Sequence, residues 1–115
     1  MPGQSEWTGQ ERREQPRVRL SLAAELRFSD HTCVGRLRDL STGGTYFEVD
    51  GFSTLNPERH GSLFAPTLGA AATPVHVRNH RIVAGAVGGV GLEFGALEPA
   101  VDACIREQID SRRYT

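Results

Sequence analysis

The sequence predicts an all-β fold capped by a C-terminal helix, and three observations carry that expectation. Between residues 18 and 28 every even position is apolar (Val18, Leu20, Leu22, Ala24, Leu26 and Phe28), the period of a half-buried strand. Further short runs rich in β-branched and aromatic residues follow, each bounded by turn-forming residues. Only near the C-terminus does the apolar period lengthen to that of an amphipathic helix.

Residues 1–16 are polar, carry Pro2, Gly3, Gly9 and Pro16, and show no period, so they read as a flexible N-terminal arm that ends in an arginine cluster. After the first strand, "SDHT" reads as a turn and residues 33–40 as a second strand returning antiparallel. "STGG" interrupts it, and "TYFEV" forms a third strand. The loop signals in "DGFSTLNPERHG" precede a fourth strand at 62–67. "PVHVRNHRIVAGAVGGVGLEF" reads as strands at 75–84 and 90–94 joined by a glycine-rich hairpin. With no helix after Gly91, these glycines are turn material and not a dinucleotide fingerprint.

In "LEPAVDACIREQIDSRR", Val101, Cys104, Ile105 and Ile109 share one helical face, Pro99 suits a first turn, and Arg112 and Arg113 suit the negative end of the dipole. The expected organisation is an arm over 1–16, a β domain over 17–97, and a helix with tail over 98–115. Six short strands and a covering helix suggest a small antiparallel barrel or a curled sheet, because closure removes exposed edges.

A length of 115 residues suits one domain with one modest core. No apolar run approaches the roughly 20 residues that span a bilayer, and the N-terminus carries no hydrophobic signal region. A soluble, cytoplasmic chain with no membrane insertion is expected. A formal net charge of -1 provides no general basic field, so DNA is not an expected partner and any anion must be bound locally. All 13 basic residues are arginine, whose planar fork grips phosphate or a base edge with two hydrogen bonds. Cys33 and Cys104 have no metal spacing and read as buried free thiols. His31, His60, His76 and His80 lack ligand spacing, so neither a metal nor a cofactor is expected. Ser41 has no histidine base nearby in sequence and neither cysteine has an evident activator, which argues against an enzyme.

Two short patterns carry the functional reading. Arg13 and Arg17 form an RxxxR pair, and Asp39 to Gly44, "DLSTGG", fits D/NxSxxG. Antiparallel pairing of the first two strands brings Asp39 and Ser41 back toward Arg13 and Arg17. Together with the later "GVGLEF" strand, these features closely resemble the PilZ domain, over residues 12–94. The resemblance implies a six-stranded antiparallel PilZ-type β-barrel that binds cyclic di-GMP, a bacterial second messenger with two anionic phosphates and two guanines.

On that resemblance the ligand-binding residues are Arg12, Arg13, Arg17, Asp39, Ser41, Gly43 and Gly44. Arginine forks match phosphate oxygens and the O6/N7 edge of guanine. Asp39 and Ser41 can hydrogen-bond a guanine edge, and Gly43 and Gly44 allow close backbone approach or a positive φ. An arginine at position 12, just before the pair, resembles the type that holds a stacked ligand dimer. Glu14, inside the pair, is expected to weaken binding without abolishing it.

The receptor so implied orders its arm on the ligand and signals in trans to a protein partner, by resemblance in motility, surface attachment or exopolysaccharide systems. A PilZ-like adaptor acting by protein contact without nucleotide is the alternative. A nucleic-acid-binding barrel is disfavoured by the near-zero net charge and only eight aromatic residues, too few for a stacking platform.

Overall fold

The computed structural model describes residues 16–51, 55–69 and 71–113. Trp7, Arg12, Arg13 and Glu14, on the expected arm, lie outside the described residues. The elements are β1 (Val18–Arg27), β2 (Thr32–Leu40), β3 (Gly44–Val49), β4 (His60–Phe64), β5 (Thr73–Val83), β6 (Ala86–Phe94) and helix α1 (Pro99–Arg113), with a 3-10 turn at Pro66–Leu68 between β4 and β5. The expected fourth strand thus stops short of Pro66, whose fixed φ suits the start of a helical turn and whose nitrogen offers no ladder hydrogen bond.

The strands pair antiparallel in the order β1-β2-β3-β6-β5-β4, and β4 returns to β1. The expectation of a barrel whose closure removes every edge nevertheless needs correction. β1 meets β4 only through Glu25↔Phe64, Leu26↔Leu63 and Arg27↔Ser62, whereas it pairs with β2 from Val18 to Arg27. The ring is therefore pinned along a short seam at one end, and the rest of β1 has a strand partner on one side only, so the sheet is not a fully closed barrel. The seam is short because β4 itself spans five residues. Helix α1 and the 3-10 turn pack against β1 and supply cover that a longer seam would have given.

The alternation read in β1 is realised: Leu22, Ala24, Leu26 and Phe28 are buried, and they join Leu37, Phe47, Leu63, Val75, Val90 and Leu92 in one core. From α1 come Val101, Ile105 and Ile109, at i, i+4 and i+8, while Cys104 is half-buried beside them. Cys33 is fully buried in the core, and neither cysteine forms a disulfide among the described residues. At the helix ends, Asp102 pairs with Arg106 one turn on at 3.1 Å, and the Arg112 guanidinium donates to the Gln108 carbonyl at 3.3 Å. At the β1–β2 turn the His31 ring hydrogen-bonds Asp30, and chiefly through that bond the Asp30 carboxyl is held below its ordinary pKa.

The β5–β6 hairpin differs from expectation. Its turn is only Ala84–Gly85, with φ of 52° and 81°, the two left-handed residues of a tight two-residue loop. Gly88 and Gly89, expected in the hairpin between the strands, lie within β6 together with Gly91. A bulge also interrupts β2. Leu37 pairs with Phe47 but Asp39 with Tyr46, so Arg38 is one residue too many against β3. Burial changes parity there, from Cys33 and Leu37 to Leu40.

Ser41 locks the turn between β2 and β3. Its hydroxyl accepts from the Gly43 and Gly44 N–H groups, both at 3.2 Å, and donates to the Gly44 carbonyl at 3.3 Å. Its own N–H donates to the same carbonyl at 2.9 Å. The side chain is 1% exposed, so water cannot replace it. A Cβ at Gly44 would fall well inside contact with the Leu92 carbonyl oxygen of β6, which is why β3 starts on glycine.

Two stability outcomes follow from this packing. Ile105→Ala should cost about 2–5 kcal/mol in urea denaturation, because Ile105 is fully buried where the helix covers the sheet. A loss under about 1 kcal/mol would make the helix a peripheral attachment. Ser41→Ala should cost about 1–3 kcal/mol by leaving the N–H groups of the turn without their acceptor, read from the same denaturation curves.

Candidate functional site

The bulge in β2 decides where Asp39 points. In an unbroken strand Asp39 would share the inward parity of Cys33 and Leu37; after the extra residue, Leu40 takes the core and Asp39 becomes half-buried on the outer face. There its Oδ1 accepts from Arg17 Nη1 at 2.7 Å and from the Tyr46 backbone N–H at 2.9 Å. The Thr45 hydroxyl donates to the Asp39 main-chain carbonyl. Among the described residues Oδ2 carries no hydrogen bond, so one face of the carboxylate remains open to a donor.

Arg17 and Asp39 line a cleft of about 220 Å³ together with Gly43, Gly44, Arg78 and Glu93. Arg78 Nη1 holds Glu93 Oε1 at 2.9 Å. On this face β6 presents glycine where neighbouring side chains pack closely: the Tyr46 ring lies over Gly89, and a Cβ at Gly91 would come within 2.7 Å of the Asn79 side-chain oxygen. Both ion pairs are partly exposed, at 41% and 28% for Arg17 and Asp39 and 39% for each member of the second pair. Pairs in such surroundings contribute about 0–1 kcal/mol, little enough for a ligand to displace.

Of the residues expected from sequence, the structure brings Arg17, Asp39, Gly43 and Gly44 to one cleft. Ser41 lies beneath it, with its hydroxyl committed to the turn, and shapes the cleft without lining it. The close approach foreseen at Gly44 is present, whereas a positive φ is found only at Ala84 and at Gly69 and Gly85 among the described residues. Sequence reasoning missed Tyr46, Asn79 and Glu93; for Arg78, as for the other strand arginines, it favours a solvent-facing residue over one that fringes the site. The signal for Arg78 was present as a broken alternation: Val75 and Val77 occupy odd positions and the next apolar residue, Ile82, an even one. A register shift between Val77 and Asn79 leaves Arg78 as the extra residue against β6.

A larger hollow of about 540 Å³ lies elsewhere, against Ala23, Val34 and Phe64. It presents Glu25, Glu48 and Asp50 against a single arginine, Arg36, the wrong balance for an anion. His60 and His76 meet edge to face at 4.8 Å, but among the described residues no three His, Cys, Asp or Glu side chains group closely enough to hold a metal ion. Nor is any described helix long and apolar enough to cross a membrane.

No curated protein sequence matches the chain. Among solved structures, an inhibitor of motility from Bacillus subtilis (MotI/DgrA) is similar with a TM-score of 0.68 and 13% identity over 90% of this chain. This chain spans about half of that protein (51%). The PilZ domain of YcgR from Escherichia coli, solved with c-di-GMP, is similar with a TM-score of 0.69 and 16% identity, over 90% of this chain and 92% of the domain. The MrkH–c-di-GMP complex of K. pneumonia gives 0.60 and 14%, over 89% of this chain and 55% of MrkH. The model of the PilZ domain matches residues 11–111, nearly the whole sequence, and the chain belongs to the PilZ domain family.

Proposed function

We propose that this protein is a receptor for cyclic di-GMP, that the ligand enters the cleft beside Arg17 and Asp39, and that it does no chemistry there. The observation that carries this reading is the Arg17–Asp39 pair itself. An arginine fork and a carboxylate with one open oxygen stand side by side at the edge of a glycine-based cleft, held by contacts weak enough to exchange. Arg17 offers its fork to a phosphate or to guanine O6/N7, and Asp39 Oδ2 accepts from guanine N–H donors. Gly43 and Gly44 admit the ligand close to the backbone, and Ser41 keeps that turn in place.

The relatives solved with c-di-GMP, YcgR and MrkH, add support. So does the size of the cleft. Pockets for ligands of drug size measure roughly 300–1,000 Å³, so a cleft of about 220 Å³ takes only part of a dinucleotide. The remainder is assigned to Arg12 and Arg13, which precede Arg17 in the chain, with Arg12 stacking on guanine in a two-ligand arrangement. Ordering the arm over the ligand would change the surface shown to a protein partner, in a motility or exopolysaccharide system of the cytoplasm.

Calorimetric titration with cyclic di-GMP, on the wild type and on Arg17→Ala, tests the reading. The substitution should weaken binding by at least about 10-fold, the lower range for losing a bidentate contact, and a ratio near two ligands per chain would support the role given to Arg12. No binding heat from the wild type would overturn the receptor reading and favour an adaptor acting by protein contact.

A further inference from the structure

The wall of the cleft formed by β5 and β6 repeats the chemistry of the wall formed by β1 and β2. On one side Arg17 holds Asp39; on the other Arg78 holds Glu93. Each wall is shaped by a strand bulge, at Arg38 in β2 beside Asp39 and at Arg78 itself in β5. Bulges gather next to binding sites, and Arg78 is both the extra residue of β5 and a lining residue of the cleft.

The charges of the two pairs cancel. A dianionic ligand entering the described cleft meets two arginines already neutralised by two carboxylates. Asp39 has a use in that event, since its open oxygen can accept from guanine. Glu93 engages Arg78 through Oε1. Its carboxylate occupies on Arg78 the place of a phosphoryl oxygen, with the same charge and the same acceptor chemistry. Among the described residues the Arg78 guanidinium donates one hydrogen bond, from Nη1 to Glu93 Oε1.

We propose that Arg78 is a further ligand-binding residue, which takes a phosphate oxygen of the dinucleotide, and that Glu93 is its internal competitor, set aside when phosphate arrives. This rests on the receptor reading above. Glu93 then sets the affinity of the site from within: while it holds Arg78, only a ligand able to replace a carboxylate gains that contact. A neutral nucleoside lacks the charge to do so.

The proposal makes two substitutions of one ion pair act in opposite directions. In calorimetric titration with cyclic di-GMP, Arg78→Ala should weaken binding by about 10-fold, through loss of a charge-assisted contact. Glu93→Gln, which frees Arg78 at nearly constant shape, should tighten it by about threefold. A structural effect of breaking the pair would move both variants the same way. If the wild type binds and Arg78→Ala stays within twofold of it, or if Glu93→Gln binds more weakly, the competitor role is overturned while the receptor reading stands. A wild type that binds nothing overturns both.

Discussion

One extra residue in β2 governs the rest of this molecule. A strand alternates its side chains between two faces, and a single insertion reverses the assignment of everything beyond it. Arg38 is that insertion against β3. Ahead of it Cys33 and Leu37 fill the core; beyond it Leu40 does, and the polar Asp39 is released to the outer face, where Tyr46 N–H and Arg17 receive it. Without the bulge the same sequence would bury a carboxylate and expose a leucine, costing several kcal/mol and removing the cleft's acceptor together. Core and site are thus solved by the same irregularity, and neither could be altered alone.

The second consequence concerns electrostatics. A cleft lined by bare arginines would attract any anion and would repel itself in the absence of one. Here each described arginine of the cleft has a carboxylate partner close by, at 2.7 Å for Arg17 and 2.9 Å for Arg78. Partial exposure keeps the pairs weak. On the proposed reading, an entering group must be at least as good an acceptor as the carboxylate it displaces. A near-neutral chain that carries all its positive charge as arginine suits this arrangement, because the fork has donors for more than one acceptor.

Much of this was legible in the sequence and some was not. The even-numbered apolar positions of β1, the turn at "STGG", and the helical face of Val101, Ile105 and Ile109 follow from local periodicity, which burial enforces directly. Arg17 and Asp39 were brought together by reasoning from one antiparallel pairing. What escaped were features set by the third and later neighbours of a strand. Gly89 and Gly91 look like turn residues until Tyr46 and Asn79 are seen lying beside them, and Glu93 is an ordinary strand polar residue until β5 places Arg78 against it. The short seam between β1 and β4 was equally hidden, because strand number and length say little about how far two distant strands overlap. Breaks in alternation, at Leu37 to Leu40 and at Val77 to Ile82, were the readable trace of both bulges.

Tyr46 ties these parts together. Glycine within a strand costs about 0.5–1 kcal/mol in chain entropy and offers nothing to pack, so the glycines of β6 are a weakness in the sheet. The Tyr46 ring lies over Gly89 and covers the gap, as cross-strand aromatics do beside strand glycines. The backbone N–H of the same residue holds Asp39. Its inward neighbour Phe47 is fully buried in the core. A single stretch of β3 therefore repairs the strand that forms the floor, orients the carboxylate at the wall, and anchors both to the interior, which gives a surface cleft the rigidity of the sheet beneath it.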